Sequence, residues 1–296
     1  MTPRRHAAAA LTLALAALPC QAGTALERQA AADAKTAPHQ RLGPVAKPVL
    51  VHYVQLKDDF QASPIVQGGV RQLRELMPIC VEGNRRLGRP VNPPPALPDQ
   101  VLHTYRYDYA APNRTIIYTL NYHATMADDC SLLERIELNA KLHSSKGTCV
   151  IDLQRKTAKG VCDASGHADA PPQPPRGDAA SLQTALAPLA ADPRMARQIA
   201  ALRQLPGAGK PVEGARRTIA GVECRMIEPL AGARGCISRA GSFVPTANAA
   251  RGMSLYVDVA REVLVATQAR FDLPLDPAIF TPYLNGGYTI SGKDAQ

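Results

Sequence analysis

Cysteine spacing constrains the possible folds of this chain more than any other feature. Segments 146–164 and 218–238 each hold two cysteines, 13 and 12 positions apart, with glycines beside them and a polar or proline-bearing stretch between them. Each segment therefore predicts a strand, a turn and a second strand, which would bring its cysteines within disulfide reach. The sequence alone does not exclude other pairings of the six cysteines. The predicted disulfides are Cys149 with Cys162, Cys224 with Cys236 and, by remainder, Cys80 with Cys130.

The N-terminal residues indicate an oxidising destination. Arg4 and Arg5 precede an apolar run over residues 7–18, and small residues follow around Ala22. This order is typical of a secretory signal peptide, so we predict that residues 1–22 are removed and that the chain is exported to the periplasm or the medium. Disulfides persist in those compartments. Cleavage would remove two arginines and no acid, which lowers the formal net charge from +9 to +7.

Several classes of function are disfavoured by composition and spacing. No apolar run after residue 22 reaches the roughly 18 residues of a membrane helix, so no transmembrane segment is expected in the mature chain. A basic exported protein favours anionic lipid or acidic polysaccharide over nucleic acid, although scattered basic residues also fit a solvated surface. The chain has no C-x-x-C pair and its seven histidines are dispersed, so we expect neither a metal nor another cofactor.

Shifts in composition divide the chain into five parts. The proline-rich stretches 88–100 and 165–178 predict exposed loops or linkers, because proline cannot donate a backbone hydrogen bond. We expect helices near 70–77 and within 181–205. The predicted parts are a signal peptide at 1–22, a flexible leader at 23–47 with at most a short helix at 25–34, a first β-rich half at 48–164, a proline-rich linker or loop at 165–178, and a helical segment followed by a second β-rich half at 179–296, which could continue the sheet of the first.

Strand patterns recur in both halves with short turns between them, which is the rhythm of an antiparallel meander. The fold class is therefore predicted as α+β, with one antiparallel sheet packed on a few helices. The expected strands are 48–57, a hairpin within 101–125, 132–142, 148–153, 160–163, 216–226, 235–238, 253–259, 263–271 and 287–290.

The hairpin within 101–125 has an aromatic face. Period-two alternation places His103 and three tyrosines on one side of the first strand, and the return strand adds two more tyrosines to that side. Such a face fits a packed core, and it also suits a sugar or an amphiphile because each ring carries a hydroxyl. The candidate ligand-binding residues are His103, Tyr105, Tyr107, Tyr118 and Tyr122.

Catalytic motifs give no positive signal. The chain lacks G-x-S-x-G, H-E-x-x-H and a complete Walker loop. We therefore favour a non-enzymatic protein that binds an amphiphilic or apolar ligand or serves envelope maintenance. One alternative is a secreted hydrolase with an unrecognised site around His103, His123 and Asp128. Another is an envelope interaction module whose proline-rich loops, 88–100 and 170–175, contact a partner.

Two short motifs in the C-terminal third carry a resemblance. The segments IAGVEC at 219–224 and LPLDPAIF at 273–280 resemble exported proteins of unknown function related to the periplasmic lipoprotein carrier. The resemblance implies a curved, half-barrel-like antiparallel sheet around helices, with an apolar interior suited to an acyl chain or a peptide. It also implies lipid, a lipoprotein or another envelope component as the partner. The six cysteines depart from the carriers, many of which have none.

Overall fold

The computed structural model describes residues 25–111, 114–144, 146–162, 212–230, 233–238, 252–259 and 262–292. Within these ranges the chain forms two α-helices and one sheet of 12 strands, so the fold is α+β with β-structure dominant. The predicted signal peptide, the proline-rich linker at 165–178, the loop at 170–175 and the helical segment at 179–205 lie outside the described residues.

The first half of the sheet is an antiparallel meander in which each strand is joined to the next by a short connection or by a helix. Alternating apolar and polar residues bury one side chain in two along β2 and β3. The last strand of this half begins three residues earlier than predicted, because the turn before it ends at Lys156, whose φ is 50°. The strands are β1 (Val49–Asp58), β2 (Leu102–Ala111), β3 (Arg114–Met126), β4 (Leu132–Ser144), β5 (Gly147–Asp152) and β6 (Thr157–Gly160).

The second half adds five antiparallel strands. The prediction of a single strand over 216–226 is wrong, because a hairpin turn at Ala220 and Gly221 divides this segment between two strands. Both turn residues have positive φ, 49° and 75°, as tight two-residue hairpins require. The strands are β7 (Val212–Ile219), β8 (Val222–Leu230), β9 (Ala233–Ser238), β10 (Ser254–Val259) and β11 (Glu262–Leu275).

The two halves form one sheet because β1 pairs with β2 on one side and with β11 on the other. The strand order is β12-β6-β5-β4-β3-β2-β1-β11-β10-β9-β8-β7, and β7 also approaches β11. The last strand, β12 (Thr289–Ser291), pairs parallel to β6. The sheet is therefore mixed at this edge and antiparallel elsewhere.

Helix α2 (Pro64–Arg86) is much longer than the predicted 70–77. Gly68, Gly69 and the internal Pro78 lower its intrinsic helix propensity, so its length depends on tertiary contacts. Ser63 at its start exchanges hydrogen bonds with the backbone of Val263, and Cys80 near its end forms a disulfide to the turn after β3. The helix thus crosses the end of the sheet.

Helix α1 (Ala25–Ala34) occupies the range where the sequence allowed a short helix. The leader was predicted to be flexible, yet α1 and the following 3₁₀ turn, Pro38–Arg41, pack on β2 and β3. Leu26 and Ala30 are the buried side chains of α1. This apolar contact is what fixes the segment on the sheet.

The three predicted disulfides are confirmed: Cys80–Cys130, Cys149–Cys162 and Cys224–Cys236. The last two staple adjacent strands diagonally. Cys149 pairs with Gly160, two residues before its partner, and Cys224 pairs with Ser238, two residues after its partner. Each closes a short ring worth about 3 kcal/mol in the chain-entropy account. Three disulfides fit an exported protein.

Two apolar cores lie along the sheet. The tyrosine core is formed by one face of β1 to β6, and the aliphatic core by β8 to β11 with two residues of β1. Strand β1 serves both, because Val51 and Tyr53 enter the tyrosine core while Val54 and Leu56 enter the aliphatic core. A third, smaller cluster surrounds the Cys80–Cys130 disulfide under α2.

Candidate functional site

The tyrosine core contains all five residues proposed from the sequence as ligand-binding. His103, Tyr105 and Tyr107 lie on the core face of β2, and Tyr118 and Tyr122 lie on the core face of β3. All five are buried: His103 is 9% exposed and each tyrosine is 5% exposed or less. The backbone register pairs Tyr107 with Tyr118 and His103 with Tyr122.

Other tyrosines complete this core. Tyr109 extends the row on β2, and Tyr53 reaches the same core from β1, where its strand position pairs with Tyr109. The rings of Tyr53 and Tyr109 are 5.1 Å apart, and those of Tyr109 and Tyr118 meet edge to face at 5.8 Å. Sequence reasoning left Tyr53 out of the site because the pairing of β1 with β2 is separated by about 50 residues of chain.

A separate layer covers the tyrosine rings. On one side it consists of α1 and the segment that follows it, including the buried Ala37. On the other side it consists of two 3₁₀ helices, Pro277–Phe280 and Pro282–Leu284, whose buried side chains include Ile279, Phe280 and Tyr283. The cover therefore comes from both ends of the described chain.

Most of the tyrosine hydroxyls that have partners bond to this cover and not to the sheet. The Tyr122 hydroxyl donates to Asp33 of α1 over 2.7 Å, and the Tyr118 hydroxyl donates to the carbonyl oxygen of Ile279. Tyr109 forms a 2.9 Å hydrogen bond with Nδ1 of His39. Hydrogen bonds of the tyrosine hydroxyls thus join the sheet to its cover.

Three further hydrogen bonds hold α1. Gln55 of β1 donates its amide to the carbonyl oxygen of Ala34, at the end of the helix. Near its start, Glu27 accepts hydrogen bonds from the backbone N–H groups of Asp99 and Gln100. The last residues of the proline-rich loop 88–100 therefore contact the cover. In the same loop, the side-chain amide of Asn92 donates a hydrogen bond to the carboxylate of Asp129.

Burial changes the acidity of the groups in the core. It raises the pKa of Tyr107 to about 12, and it raises the pKa values of Tyr109, Tyr118 and Tyr122 further. Burial lowers the pKa values of His39 and His103. The tyrosines are therefore protonated at neutral pH, and the two histidines favour the neutral imidazole.

Two polar atoms on the core face of β2 have no hydrogen-bond partner in the described part of the chain. They are the Tyr107 hydroxyl and Nε2 of His103, and both are buried. Leaving a buried polar atom without a partner costs about 1–3 kcal/mol. Because both residues lie on the core face of β2, both unpaired atoms destabilise the packing of the same strand.

The three residues of the hydrolase alternative do not form one cluster. His103 is on the core face of β2, whereas alternation along β3 places His123 on the other face, beside Glu137 at 3.5 Å. Asp128 lies in the turn after β3, where its carbonyl oxygen accepts from Asn84 of α2. Across the described ranges, no group of three or more metal-ligating side chains could hold an ion.

Two open grooves lie elsewhere on the surface. One, of about 620 Å³, runs over β4 and β5 and is lined by Arg135, Glu137, Asn139 and Asp152 among others. The other, of about 500 Å³, lies along α2. Neither is lined by a residue proposed from the sequence as a ligand contact.

Among the described residues, no helix is long and apolar enough to cross a membrane. Comparison with known proteins finds no match: no protein-family model, no curated protein and no solved structure matches this chain. The geometry of the tyrosine core is therefore the basis on which a function is assigned.

Proposed function

We propose that this chain is a non-enzymatic exported protein that binds an amphiphilic or apolar ligand on the tyrosine face of β2 and β3. The observation that carries the proposal is the bonding of the tyrosine hydroxyls to a separate covering layer. Tyr122 bonds to Asp33 and Tyr109 to His39, so release of the cover exposes an aromatic wall with a row of hydroxyls.

An alkyl chain buries more apolar surface than α1 does. The helix buries only Leu26 and Ala30, which together contribute on the order of 2–3 kcal/mol. Burial of an alkyl chain contributes about 0.8 kcal/mol per methylene, so a chain of about ten methylenes exceeds this several-fold before the costs of association. The polar contacts of α1 are individually worth about 1 kcal/mol each.

The approach of β7 to β11 is expected if the second half of the sheet curls around the aliphatic core. A curved sheet is the architecture that the resemblance to the lipoprotein carrier implies. In this interpretation the ligand is a lipid, the acyl part of a lipoprotein or a segment of another envelope component. The protein then serves envelope maintenance in the periplasm.

The proposal is tested on full-length protein purified from its native compartment. Lipid extraction and mass spectrometry should recover a bound amphiphile in a defined ratio to protein. A chain that carries no amphiphile, and that binds none when amphiphiles are added, contradicts the proposal.

A pair of matched variants tests the role of α1. Leu26→Asp places a charge under the helix and should release it, while Ala31→Asp adds the same charge at an exposed position of the same helix. We expect Leu26→Asp to speed uptake of an added amphiphile several-fold, measured by stopped-flow tyrosine fluorescence, and Ala31→Asp to leave the rate unchanged. Equal rates for the two variants would show that α1 does not control access.

A further inference from the structure

One buried cation lies at the end of the tyrosine core. Arg114 is the first residue of β3, and it shares the core face with Ile116 and Tyr118 because side chains alternate along the strand. Only 9% of Arg114 is exposed. Its guanidinium stacks on the ring of Phe280, in the C-terminal part of the cover, at 4.5 Å from the ring centroid.

Arg114 has no acidic partner in the described part of the chain, and its Nε is buried without a hydrogen-bond acceptor there. The half-buried Arg106 is a useful contrast, since it forms an ion pair of 2.7 Å with Asp108. The nearby carboxylate raises the pKa of Arg106, whereas burial lowers the pKa of Arg114, against which Tyr283 acts but no carboxylate does. The two arginines therefore differ in their counter-ion.

A buried charge without a counter-ion costs several kcal/mol even after the protein relaxes around it. Stacking on Phe280 returns about 0.5–2 kcal/mol and offers no acceptor for the N–H groups. A guanidinium presents its N–H donors as a planar fork that matches carboxylate and phosphate oxygens. The missing component of this site is an anion.

We propose that Arg114 binds the anionic head group, a carboxylate or a phosphate, of the amphiphile whose apolar part lies on the tyrosine face. This inference rests on the proposed function and specifies its ligand. From Arg114 the core face of β3 continues to Tyr122, over about 27 Å at the rise of a strand. The head group thus binds at one end of β3, and the apolar part extends toward α1.

The net charge of the whole chain also favours an anionic ligand. Its formal net charge is +9, or +7 after the predicted cleavage, so its long-range field attracts anions. An amphiphile with a cationic head group would meet both this field and an uncompensated guanidinium. An anionic amphiphile would relieve the cost of burying Arg114 when it binds.

The test uses two ligands with the same alkyl chain and different head groups. The protein has no tryptophan and seven of its nine tyrosines are buried in the tyrosine core, so tyrosine fluorescence reports mainly on that core. Wild-type protein should bind dodecanoate at least tenfold more tightly than 1-dodecanol. Arg114→Gln should remove this preference by weakening the binding of dodecanoate at least fivefold, and Arg114→Lys should retain part of the preference. Near-UV circular dichroism establishes that each variant is folded.

The outcomes separate the two proposals. If wild-type protein binds dodecanoate and 1-dodecanol equally, Arg114 does not select the head group, and ligand binding itself stands. If neither ligand binds, the proposed function and this inference both fail. A third arm adds acetate and inorganic phosphate: thermal stabilisation by these ions that equals the effect of dodecanoate and depends on Arg114 would assign the site to a free anion and overturn the head-group assignment. The wild-type selectivity remains decisive if a variant does not fold.

Discussion

The two cores on this sheet differ in chemistry although they share β1. The tyrosine core holds six tyrosines on three adjacent strands, and several of their hydroxyls bond to a covering layer. The aliphatic core buries aliphatic residues, a methionine and the Cys224–Cys236 disulfide. A core built of hydrocarbon is complete when it is packed. A core built of tyrosines needs polar partners, which here come from a separate covering layer.

The comparison also separates stability from binding. Both halves carry a diagonal disulfide across adjacent strands, so each is stapled in the same way. The C-terminal segment after β11 nevertheless packs Phe280 and Tyr283 into the tyrosine core of the first half. We expect the aliphatic core to contribute stability and the tyrosine core to contribute both stability and ligand binding.

The largest effect is expected from damage to the aliphatic core. Leu255 is fully buried there, so Leu255→Ala should lower the free energy of unfolding by about 3 kcal/mol through lost transfer energy and a residual cavity. Urea denaturation measures this loss. Under native conditions the affinity for dodecanoate should stay within about twofold. A large change in affinity for a folded Leu255→Ala protein would show that the two cores are coupled.

A smaller effect should distinguish two tyrosines within the tyrosine core. Tyr118→Phe removes a hydroxyl that bonds to the cover, and it leaves the carbonyl oxygen of Ile279 unpaired, so it should cost about 1–2 kcal/mol. Tyr107→Phe removes a buried hydroxyl with no partner among the described residues, so it should be neutral or stabilising. Differential scanning calorimetry compares the two single variants. Equal destabilisation of the two variants would show that the hydrogen bond from Tyr118 to the cover does not add to stability.

The smallest effect is a pH dependence centred on the tyrosine core. Burial lowers the pKa values of His39 and His103, so the unfolded chain binds more protons than the native chain as the pH falls through 6.5. Stability contributed by these histidines is present above that pH and is lost below it. His39→Gln should flatten the slope of melting temperature against pH between about 5 and 8. An unchanged slope would assign the pH dependence to other groups.

The hairpin, the fold class and the two short-range disulfides could be predicted from the sequence because each depends on local patterns, and the pair Cys80–Cys130 followed as the remainder. Alternation along β2 and β3 is unbroken, and the paired cysteines lie on neighbouring strands or close to them. The turn at Ala220 was missed because the residues on both sides of it are apolar and read as a continuous strand. The length of helix α2 was underestimated because Pro78 and the three glycines of the helix lower its intrinsic helix propensity, whereas tertiary contacts determine its extent.

The cover could not be predicted because its parts come from opposite ends of the chain. No local pattern indicates that residues 277–284 pack against β3, and the parallel pairing of β12 with β6 depends on that placement. Arg114 did carry a signal. It follows the same period-two register as Ile116 and Tyr118, which marks a charged residue on a face that is otherwise apolar and aromatic.

The origin of the cover has a kinetic consequence for a chain that is synthesised from its N-terminus. Helix α1 precedes every strand of the sheet, whereas the 3₁₀ helices of the cover follow β11, the strand that joins the two halves. The cover is therefore complete only when segments far apart in the sequence are present together. Its closure is a late step of folding, after the hairpin of β2 and β3 has its full length of chain.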